Sequence, residues 1–243
     1  MQKILGYMRK AITEFDLIQN GDKIAVGVSG GKDSLVLLTG LILLRRFIGI
    51  DYDITALTID PQFGGVETDY FPVMKLCEEY SVPYVVEKSD IGSIVFDIRK
   101  ESNPCSLCAN MRRGALNSKA KELGCNKVAL GHHYNDVVET FMMNLFIEGR
   151  VGCFSPKTYL DRSDITIIRP LVFAPEREIK NAARRNNLEI VKSKCPADGV
   201  TKRQDMKEFL REREREDKGF TDRIFGALRR SGVDGWGFKE DQK

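Results

Sequence analysis

The chain has 243 residues, of which 42% are hydrophobic and 30% are charged. This length and balance are typical of one α/β domain with an extension, or of two small domains, and they exclude disordered, collagen-like and coiled-coil classes. No segment approaches the roughly 20 apolar residues that span a bilayer, and the amphipathic start does not resemble a signal peptide. We therefore expect a cytoplasmic protein that does not contact a membrane.

The net charge is only +3, but the positive residues are unevenly distributed. Residues 176–230 contain 16 Lys and Arg against 11 Asp and Glu. A second basic group surrounds two of the cysteines and consists of Arg99, Lys100, Arg112, Arg113, Lys119 and Lys121. Local positive fields of this kind attract polyanions. The interspersed acids in 176–230 also fit ordinary solvated helix faces.

Hydrophobic periodicity predicts an N-terminal amphipathic helix, a strand at 23–28 and a long apolar helix to about residue 48. The chain then alternates between strands and helices. The predicted strands are 54–59, 83–87, 127–130 and 165–168, and the predicted helices are 69–80, 105–123 and 135–148. This alternation predicts an α/β fold with a doubly wound, mostly parallel sheet, whose loops gather at the carboxyl ends of the strands.

After Pro170 the pattern becomes helical and basic, with helices predicted at 175–187, 201–218 and 221–231. We therefore divide the chain into an N-terminal helix (1–22), a nucleotide-binding α/β domain (23–173) and a basic C-terminal helical extension (174–243). The segment from Gly232, which contains several glycines and then charged residues, is expected to pack loosely.

The most specific motif joins the first strand to the long apolar helix and reads Ser29-Gly30-Gly31-Lys32-Asp33-Ser34. Its glycines allow a tight turn that exposes successive N–H groups. The two serines, the helix N-terminus and Lys32 complete an anion-binding site. A G-x4-G-K-[ST] loop is excluded, because Val26 stands at its first glycine and Asp33 at its Ser/Thr position.

This motif resembles the PP-loop of the N-type ATP pyrophosphatases, which cleave ATP between the α and β phosphates and adenylate a carbonyl-type oxygen. The resemblance implies that Asp60, at the end of the second strand, approaches the adenosine. A second segment, Gly131-His-His-Tyr-Asn-Asp136-Val-Val-Glu-Thr140, is similar to the G-H-H-x-D-D-x-x-x-T signature of the branch that modifies tRNA. Its position between a strand and a helix predicts that His132, Asn135 and Asp136 face the nucleotide. Asn135 stands where the signature has Asp, which leaves Asp136 to bind Mg²⁺.

Six cysteines are too sparse for a secreted disulfide framework. Cys105 and Cys108 lie on one face of a helical turn and can bind one metal. Such a C-x-x-C pair can serve zinc, an iron–sulfur cluster or a redox disulfide. The helix N-terminus and nearby basic residues are expected to lower the pKa of both thiols. Cys195 is the natural third partner, and a [4Fe–4S] cluster held by three cysteines leaves one iron open for an outside sulfur. The remaining three are interpreted as core or loop thiols: Cys77, Cys125 and Cys153.

Together these motifs resemble the TtcA family of tRNA 2-thiocytidine synthetases over about residues 1–215. The resemblance implies a [4Fe–4S] cluster on Cys105, Cys108 and Cys195, ATP with Mg²⁺, and thiolation of cytidine 32 in tRNA. It also implies a sulfur donor such as a cysteine desulfurase, and a homodimer. The implied catalytic residues are Lys32, Asp33, Asp136, Cys105 and Cys108. The implied nucleotide-binding residues are Ser29, Gly30, Gly31, Lys32, Asp33, Ser34, Asp60, Gly131, His132 and Asn135. The sequence after Cys195 lacks the second C-x-x-C of the bacterial pattern.

In the resulting hypothesis, the pyrimidine O2 attacks the α-phosphate of ATP while the PP-loop holds the pyrophosphate. A cluster-bound sulfide or persulfide then attacks C2 and expels AMP. Two enzymatic alternatives are a persulfide-based tRNA 2-thiouridine synthetase without a cluster and a lysidine-type synthetase, which would give the three cysteines no role. A non-catalytic protein that responds to nucleotide and to the redox state of an Fe–S cluster is the alternative from another class.

Overall fold

The computed structural model describes residues 1–100, 104–196 and 202–238. Its centre is a six-stranded sheet of order β3-β2-β1-β4-β6-β5, in which only the pairing of β5 with β6 is antiparallel. The strands are β1 (Asp22–Gly27), β2 (Tyr52–Asp60), β3 (Tyr84–Lys88), β4 (Lys127–Ala129), β5 (Lys157–Leu160) and β6 (Ile165–Ile168). The predicted doubly wound α/β fold is confirmed. The edge strand β5 was not predicted, because four residues without a buried side chain show no clear alternation.

The helices follow the predicted order, with ends shifted by a few residues. They are α1 (Gln2–Phe15), α2 (Lys32–Leu44), α3 (Phe71–Glu79), α4 (Ile91–Ser93), α5 (Pro104–Glu122), α6 (Tyr134–Phe146), α7 (Glu176–Arg185), α8 (Lys202–Glu216) and α9 (Phe220–Ser231). The short α4, which continues as a π-helical turn over Ile94–Arg99, was not predicted. Thr201, where α8 was expected to begin, lies outside the described residues.

Helices cover both faces of the sheet, as a parallel sheet requires. The larger core contains nearly all of α2 and the apolar stripe of α1. These two helices approach so closely that a Cβ at Gly40 would lie within 3.0 Å of the Met8 Cε. The second core lies around α5 and includes Leu116 and Ala120. The motif Ser29–Ser34 is therefore attached to a helix, α2, that is buried along nearly all of its length.

The C-terminal helices α8 and α9 pack against α6 around a third cluster formed by Val138, Met142, Met206 and Leu210. The expectation that the chain packs loosely from Gly232 is wrong for the described residues. Trp236 is fully buried, and its Nε1 donates a hydrogen bond to the Phe154 carbonyl at 2.8 Å. One aromatic side chain with an internal acceptor is enough to anchor this segment. The three-part division of the chain stays a prediction.

Among residues 1–100, 104–196 and 202–238, no helix is long and apolar enough to cross a membrane.

Candidate functional site

The glycine-rich loop between β1 and α2 is stabilised by its own hydroxyl groups. Gly30 has φ +79°, a conformation that favours glycine. The Ser29 amide donates to Ser34 Oγ at 3.2 Å, and Ser34 Oγ donates to the Gly31 carbonyl at 2.9 Å. The loop is therefore held in shape at the N-terminus of α2, where backbone N–H groups and the helix dipole favour an anion.

Lys32 lies between two carboxylates. Its Nζ is 2.9 Å from Asp33 Oδ2 and 3.3 Å from Glu176 Oε1. Burial disfavours the charged amine, but Asp33 and Glu176 outweigh burial and raise the pKa of Lys32. The lysine is therefore a cation at neutral pH. Glu176, in the first turn of α7, was missed at the sequence level because it lies far from the motif in the chain.

The Gly131 segment packs directly on the glycine-rich loop. A Cβ at Gly131 would lie 3.1 Å from the Asp33 carbonyl carbon and 3.2 Å from the Ser34 nitrogen, so only glycine fits without displacing the loop. His133 caps α6: its Nδ1 accepts from the Asp136 amide at 3.3 Å, and Asp136 Oδ2 accepts from the His133 amide at 2.9 Å. This reciprocal cap fixes Asp136 at the mouth of the site.

Asp33 and Asp136 both stand beside His133. Its Nε2 lies 3.6 Å from Asp33 Oδ1, and its Nδ1 lies 3.4 Å from Asp136 Oδ2. Asp33 Oδ1 is enclosed and accepts no hydrogen bond from any described residue. Such an orphaned oxygen is available to a cation.

Three ionisable groups near α6 have unusual environments. Burial, with a smaller contribution from the Arg169 cation, lowers the pKa of His132 to about 4, so this ring is neutral at pH 7. Burial, reinforced by Asp136, raises the pKa of Glu139 to about 7. Arg203 donates to Asp136 Oδ1 at 3.2 Å and to Thr140 Oγ1 at 3.1 Å. The functional candidates Glu139 and Arg203 were missed, because only the fold brings α8 onto α6.

Both loops open into one cavity of about 730 Å³. Six of the predicted site residues line it: Ser29, Asp33, Ser34, Gly131, His132 and Asp136. One wall is formed by Leu57 and Ile59 of β2, and another by Ala109 and Arg112 of α5. The cavity is large enough for a nucleotide and part of a second substrate.

Five predicted nucleotide-binding residues do not line this cavity. Gly30, Gly31 and Lys32 belong to the glycine-rich loop itself, whereas Asp60 and Asn135 are bound elsewhere. The buried Asp60 accepts from the Gln62 amide at 3.2 Å and from the Thr68 amide at 3.0 Å, and so shapes the loop after β2. Asn135 Oδ1 accepts from the Glu176 amide at 2.9 Å and satisfies the first turn of α7. Their carboxylate and amide oxygens are therefore already occupied by the backbone.

The cysteine triad is distributed around the start of α5. Cys105 is exposed, Cys108 is buried and Cys195 is half-buried. Burial raises the pKa of Cys108, Arg112 opposes this, and the neighbouring Cys195 and Cys105 add to it. The expectation that the local field lowers this pKa is therefore wrong for Cys108, because desolvation outweighs Arg112. The other three thiols are buried, as interpreted.

The segment carrying Cys195 is attached to the glycine-rich loop through Val191, whose amide donates to the Gly30 carbonyl at 3.0 Å. Within the part of the chain that the structure describes, no three His, Cys, Asp or Glu side chains stand close enough to hold a single metal ion. Thiolates of a multi-iron cluster bind different irons, so they stand farther apart than the ligands of one ion. Three neighbouring thiols are a donor set that can hold a [4Fe–4S] cluster with one iron left open.

The two loops lie at the carboxyl ends of β1 and β4, the neighbouring central strands at which the order of the sheet reverses. This is the position at which doubly wound proteins bind ligands. Fold and site therefore define an adenine-nucleotide-binding α/β protein of the PP-loop class. In agreement, the sequence profile described as "PP-loop domain" matches residues 4–213.

Curated relatives narrow this class. The tRNA-cytidine(32) 2-sulfurtransferase of Geobacter metallireducens is 40% identical over 230 residues, covering 93% of this chain and 89% of the relative. The enzyme of the same name from Citrifermentans bemidjiense is 40% identical over 217 residues, covering 88% of this chain and 84% of the relative. The chain belongs to the tRNA-cytidine(32) 2-sulfurtransferase family, and the resemblance seen in its sequence motifs is confirmed.

A solved structure is similar over most of the chain. It is the U34-tRNA thiolase NcsA from Methanococcus maripaludis with its [4Fe-4S] cluster. It has a TM-score of 0.76 and 29% sequence identity, with 93% of this chain and 77% of that chain covered.

Proposed function

We propose that this protein is an ATP-dependent tRNA sulfurtransferase that adenylates the C2 oxygen of cytidine 32 and replaces it with sulfur. The observation that carries the proposal is the shared cavity. Its lining includes Ser29 and Ser34 of the PP-loop and also Ala109, which directly follows Cys108, and Arg112, one helical turn farther along α5. Cys105, Cys108 and Cys195 are not among the described residues that line it. An activated oxygen formed at one end can therefore meet a sulfur nucleophile at the other without leaving the protein.

The PP-loop residues Ser29 to Ser34 are proposed to bind the pyrophosphate portion of ATP. The N-terminus of α2 supplies backbone donors, and Lys32 supplies a positive charge that Asp33 and Glu176 maintain. The neutral His132 at the cavity wall can donate or accept a hydrogen bond without adding charge. These groups bind the leaving pyrophosphate more strongly as it gains charge, which favours adenylation.

Asp33 and Asp136 are the proposed ligands of Mg²⁺. Both line the cavity, and Asp33 Oδ1 has no hydrogen-bond partner among the described residues. Carboxylates together with phosphate oxygens are the usual magnesium ligands. Asp33 is thus proposed as the second carboxylate ligand, in place of the Asp that the signature has at position 135. The Asn135 side chain is bound to the α7 backbone instead.

Cys105, Cys108 and Cys195 are the proposed ligands of a [4Fe–4S] cluster. When bound, such a cluster offers one iron with an open position for an exogenous sulfur. The chain's own contribution is to bury Cys108 and to tie the Cys195 segment to the PP-loop through Val191 and Gly30. This contact fixes the position of the segment that carries Cys195 relative to the loop proposed to bind ATP.

The atoms balance in two displacements. The cytosine O2 forms a bond to the α-phosphorus, and the bond between the α-phosphorus and the bridging oxygen breaks, which releases pyrophosphate. A sulfur nucleophile then bonds to C2, and the C2–O bond breaks with departure of AMP. Adenylation is needed because AMP is a far better leaving group than a free oxide.

The test uses protein purified without oxygen and incubated with ATP, Mg²⁺, a sulfide source and an unmodified tRNA. Nucleoside mass spectrometry should detect 2-thiocytidine. Cys195→Ala should abolish this product and the absorbance of the cluster near 400 nm while preserving ATP binding. Cys125→Ala is the matched control, because Cys125 is a buried thiol of the core and should leave the product unchanged.

Two results would redirect the proposal. Production of 2-thiouridine instead would favour a uridine thiolase, the activity named for the structural neighbour NcsA. Retained thiolation in Cys195→Ala would reject the cluster assignment and favour persulfide chemistry on the remaining cysteines.

Three further features are proposed with this function. The sulfur donor is a cysteine desulfurase, which delivers sulfur as a protein persulfide, and a thiol reductant supplies the two electrons that release it as sulfide. The protein acts in the cytoplasm, where tRNA is present and free thiols persist. It forms a homodimer, supported by the exposed apolar side chains of Leu145, Phe146 and Ile147 at the end of α6, and light scattering at several concentrations tests this.

A further inference from the structure

Arg169 is buried, and it has no acidic partner among the residues that the structure describes. It directly follows β6 and is only 9% exposed. Its Nη1 donates to the Ser155 carbonyl at 2.6 Å and to Thr158 Oγ1 at 3.3 Å, whereas its enclosed Nε has no partner in the described part of the chain. Across the described ranges, the charged groups that act on this guanidinium are the Cys153 thiol and Arg113, and no carboxylate is among them. A buried cation without a counter-charge is costly, and it marks a place where an anion binds favourably.

Arg169 lines the cavity described above together with other positive groups. The cavity lobe formed by Arg150, Phe154, Arg169 and Arg203 is called the arginine lobe here. The Arg169 guanidinium lies 5.0 Å from the centre of the Phe154 ring, which holds it in a fixed orientation. Arg150 donates to the neutral Asn144 side chain, and Arg203 is paired with Asp136 and Glu139. The lobe therefore carries an excess of positive charge.

The sheet order separates this lobe from the part of the cavity suited to adenosine. The PP-loop follows β1, and the wall made by Leu57 and Ile59 belongs to β2 on one side. Arg169 follows β6, on the opposite side of β4. A nucleotide whose pyrophosphate occupies the PP-loop and whose base reaches β2 leaves the arginine lobe free for the second substrate.

We propose that the arginine lobe binds a phosphate group of the RNA substrate, the phosphodiester next to the target nucleotide, with Arg169 as its principal ligand. This inference rests on the proposed function, since it assigns the RNA side of that same cavity. Arginine suits this task because the Nε and Nη2 edge of its guanidinium, which neither Ser155 nor Thr158 uses, can donate two parallel N–H groups to phosphate oxygens. Fixing the phosphodiester places the unstacked base between the α-phosphate and the sulfur-binding end of the cavity.

The test compares Arg169→Met and Arg169→Lys with the control Thr158→Val, in the cluster-loaded protein. Thr158→Val removes one hydrogen bond made by the same guanidinium but leaves its charge in place. The probes are an unmodified tRNA transcript and the ATP analogue AMP-CPP. Dissociation constants are measured at several salt concentrations, because one lost phosphate contact lowers the salt slope by about one. A merely structural role would not change that slope.

We expect Arg169→Met to weaken tRNA binding about tenfold or more and to lower the salt slope by about one. Arg169→Lys should retain the salt slope but bind tRNA several-fold more weakly. If Arg169→Met does not fold, the tRNA affinity of Arg169→Lys decides whether Arg169 contacts the RNA. AMP-CPP binding should stay within about twofold of wild type in every variant. The Thr158→Val protein should bind tRNA as the wild type does.

Three results would overturn the inference. Unchanged tRNA affinity and slope in both Arg169 variants would exclude an RNA phosphate contact. Weaker AMP-CPP binding with unchanged tRNA binding would assign the anion to ATP instead. A wild-type protein that neither binds nor thiolates tRNA would reject the proposed function itself, which is a distinct outcome because it appears without any substitution.

Discussion

The Gly30 carbonyl in the PP-loop accepts a hydrogen bond from the Val191 amide at 3.0 Å, four residues before Cys195. The loop proposed to bind pyrophosphate and the segment that carries Cys195 are therefore in direct backbone contact. A Cβ at Gly30 would lie only 2.6 Å from the Val191 Cβ. A displacement of Val191 would therefore disturb both the glycine-rich loop and the Cys195 segment.

Gly30→Ala is expected to impair both ATP binding and cluster binding. The substitution forces an L-residue to φ +79° and pushes Val191 away, so ATP affinity and cluster content should both fall. Equilibrium binding of AMP-CPP and absorbance near 400 nm measure the two effects. Gly49→Ala is the matched control, because Gly49 has φ +75° but open space around it. Gly49→Ala should lower the free energy of unfolding by about 1–2 kcal/mol through backbone strain alone. If both variants behave alike, the Val191 contact has no special role.

Glu139→Gln is expected to stabilise the protein in a pH-dependent way. Burial raises the pKa of Glu139 from 4.5 to about 7, so the folded state resists its ionisation. The resulting penalty appears as the pH rises above 4.5 and is complete above about 7. The free energy of unfolding in urea should therefore favour the variant by about 2 kcal/mol more at pH 8 than at pH 5.5. Glu148→Gln, at an exposed position, is the matched control for loss of a carboxylate. A pH-independent difference for Glu139→Gln would contradict the raised pKa.

Asn135→Ala tests whether this side chain contacts the nucleotide or the backbone. Because its Oδ1 accepts from the Glu176 amide, the alanine variant should lose about 1 kcal/mol of stability. AMP-CPP affinity should be unchanged. Asn135→Asp keeps an acceptor oxygen at the same place and should restore most of the stability. Loss of nucleotide affinity in the alanine variant at constant stability would instead place Asn135 at the phosphates.

Trp236→Ala is expected to destabilise the protein beside the cavity that Phe154 lines. Trp236 is fully buried, and its Nε1 holds the Phe154 carbonyl at 2.8 Å. Truncation of a buried aromatic residue typically costs about 3–5 kcal/mol. Thermal unfolding should report this loss, and tRNA thiolation should fall because Phe154 lines the cavity. Phe238→Ala, at a 64% exposed position beside Arg229, should cost at most about 1 kcal/mol. Equal effects of the two substitutions would show that Trp236 does not anchor the site.

Much of the fold could be predicted from local patterns. The alternation of apolar strands and amphipathic helices indicated the parallel sheet, because both periodicities are local properties of a few residues. The edge strand β5 and the π-helical turn over Ile94–Arg99 were missed, since neither has a distinct apolar period. The anchored Trp236 segment was missed because its acceptor, Phe154, is 82 residues away in the chain.

The candidate site likewise combines features that the sequence predicted with features that it did not. Motif spacing was sufficient to identify the PP-loop, the segment from Gly131 to Asp136 and the cysteine pair on α5, because short loops at strand ends carry their chemistry locally. The sequence therefore determined the nucleotide chemistry and the family. Only the tertiary structure decided which oxygens are free, since Asp60 and Asn135 are occupied by backbone amides whereas Asp33 Oδ1 is not. It also brought Arg169, Arg203 and Glu176 to the site from separate elements, because hydrogen bonding and burial between distant segments are settled only when the helices pack on the sheet.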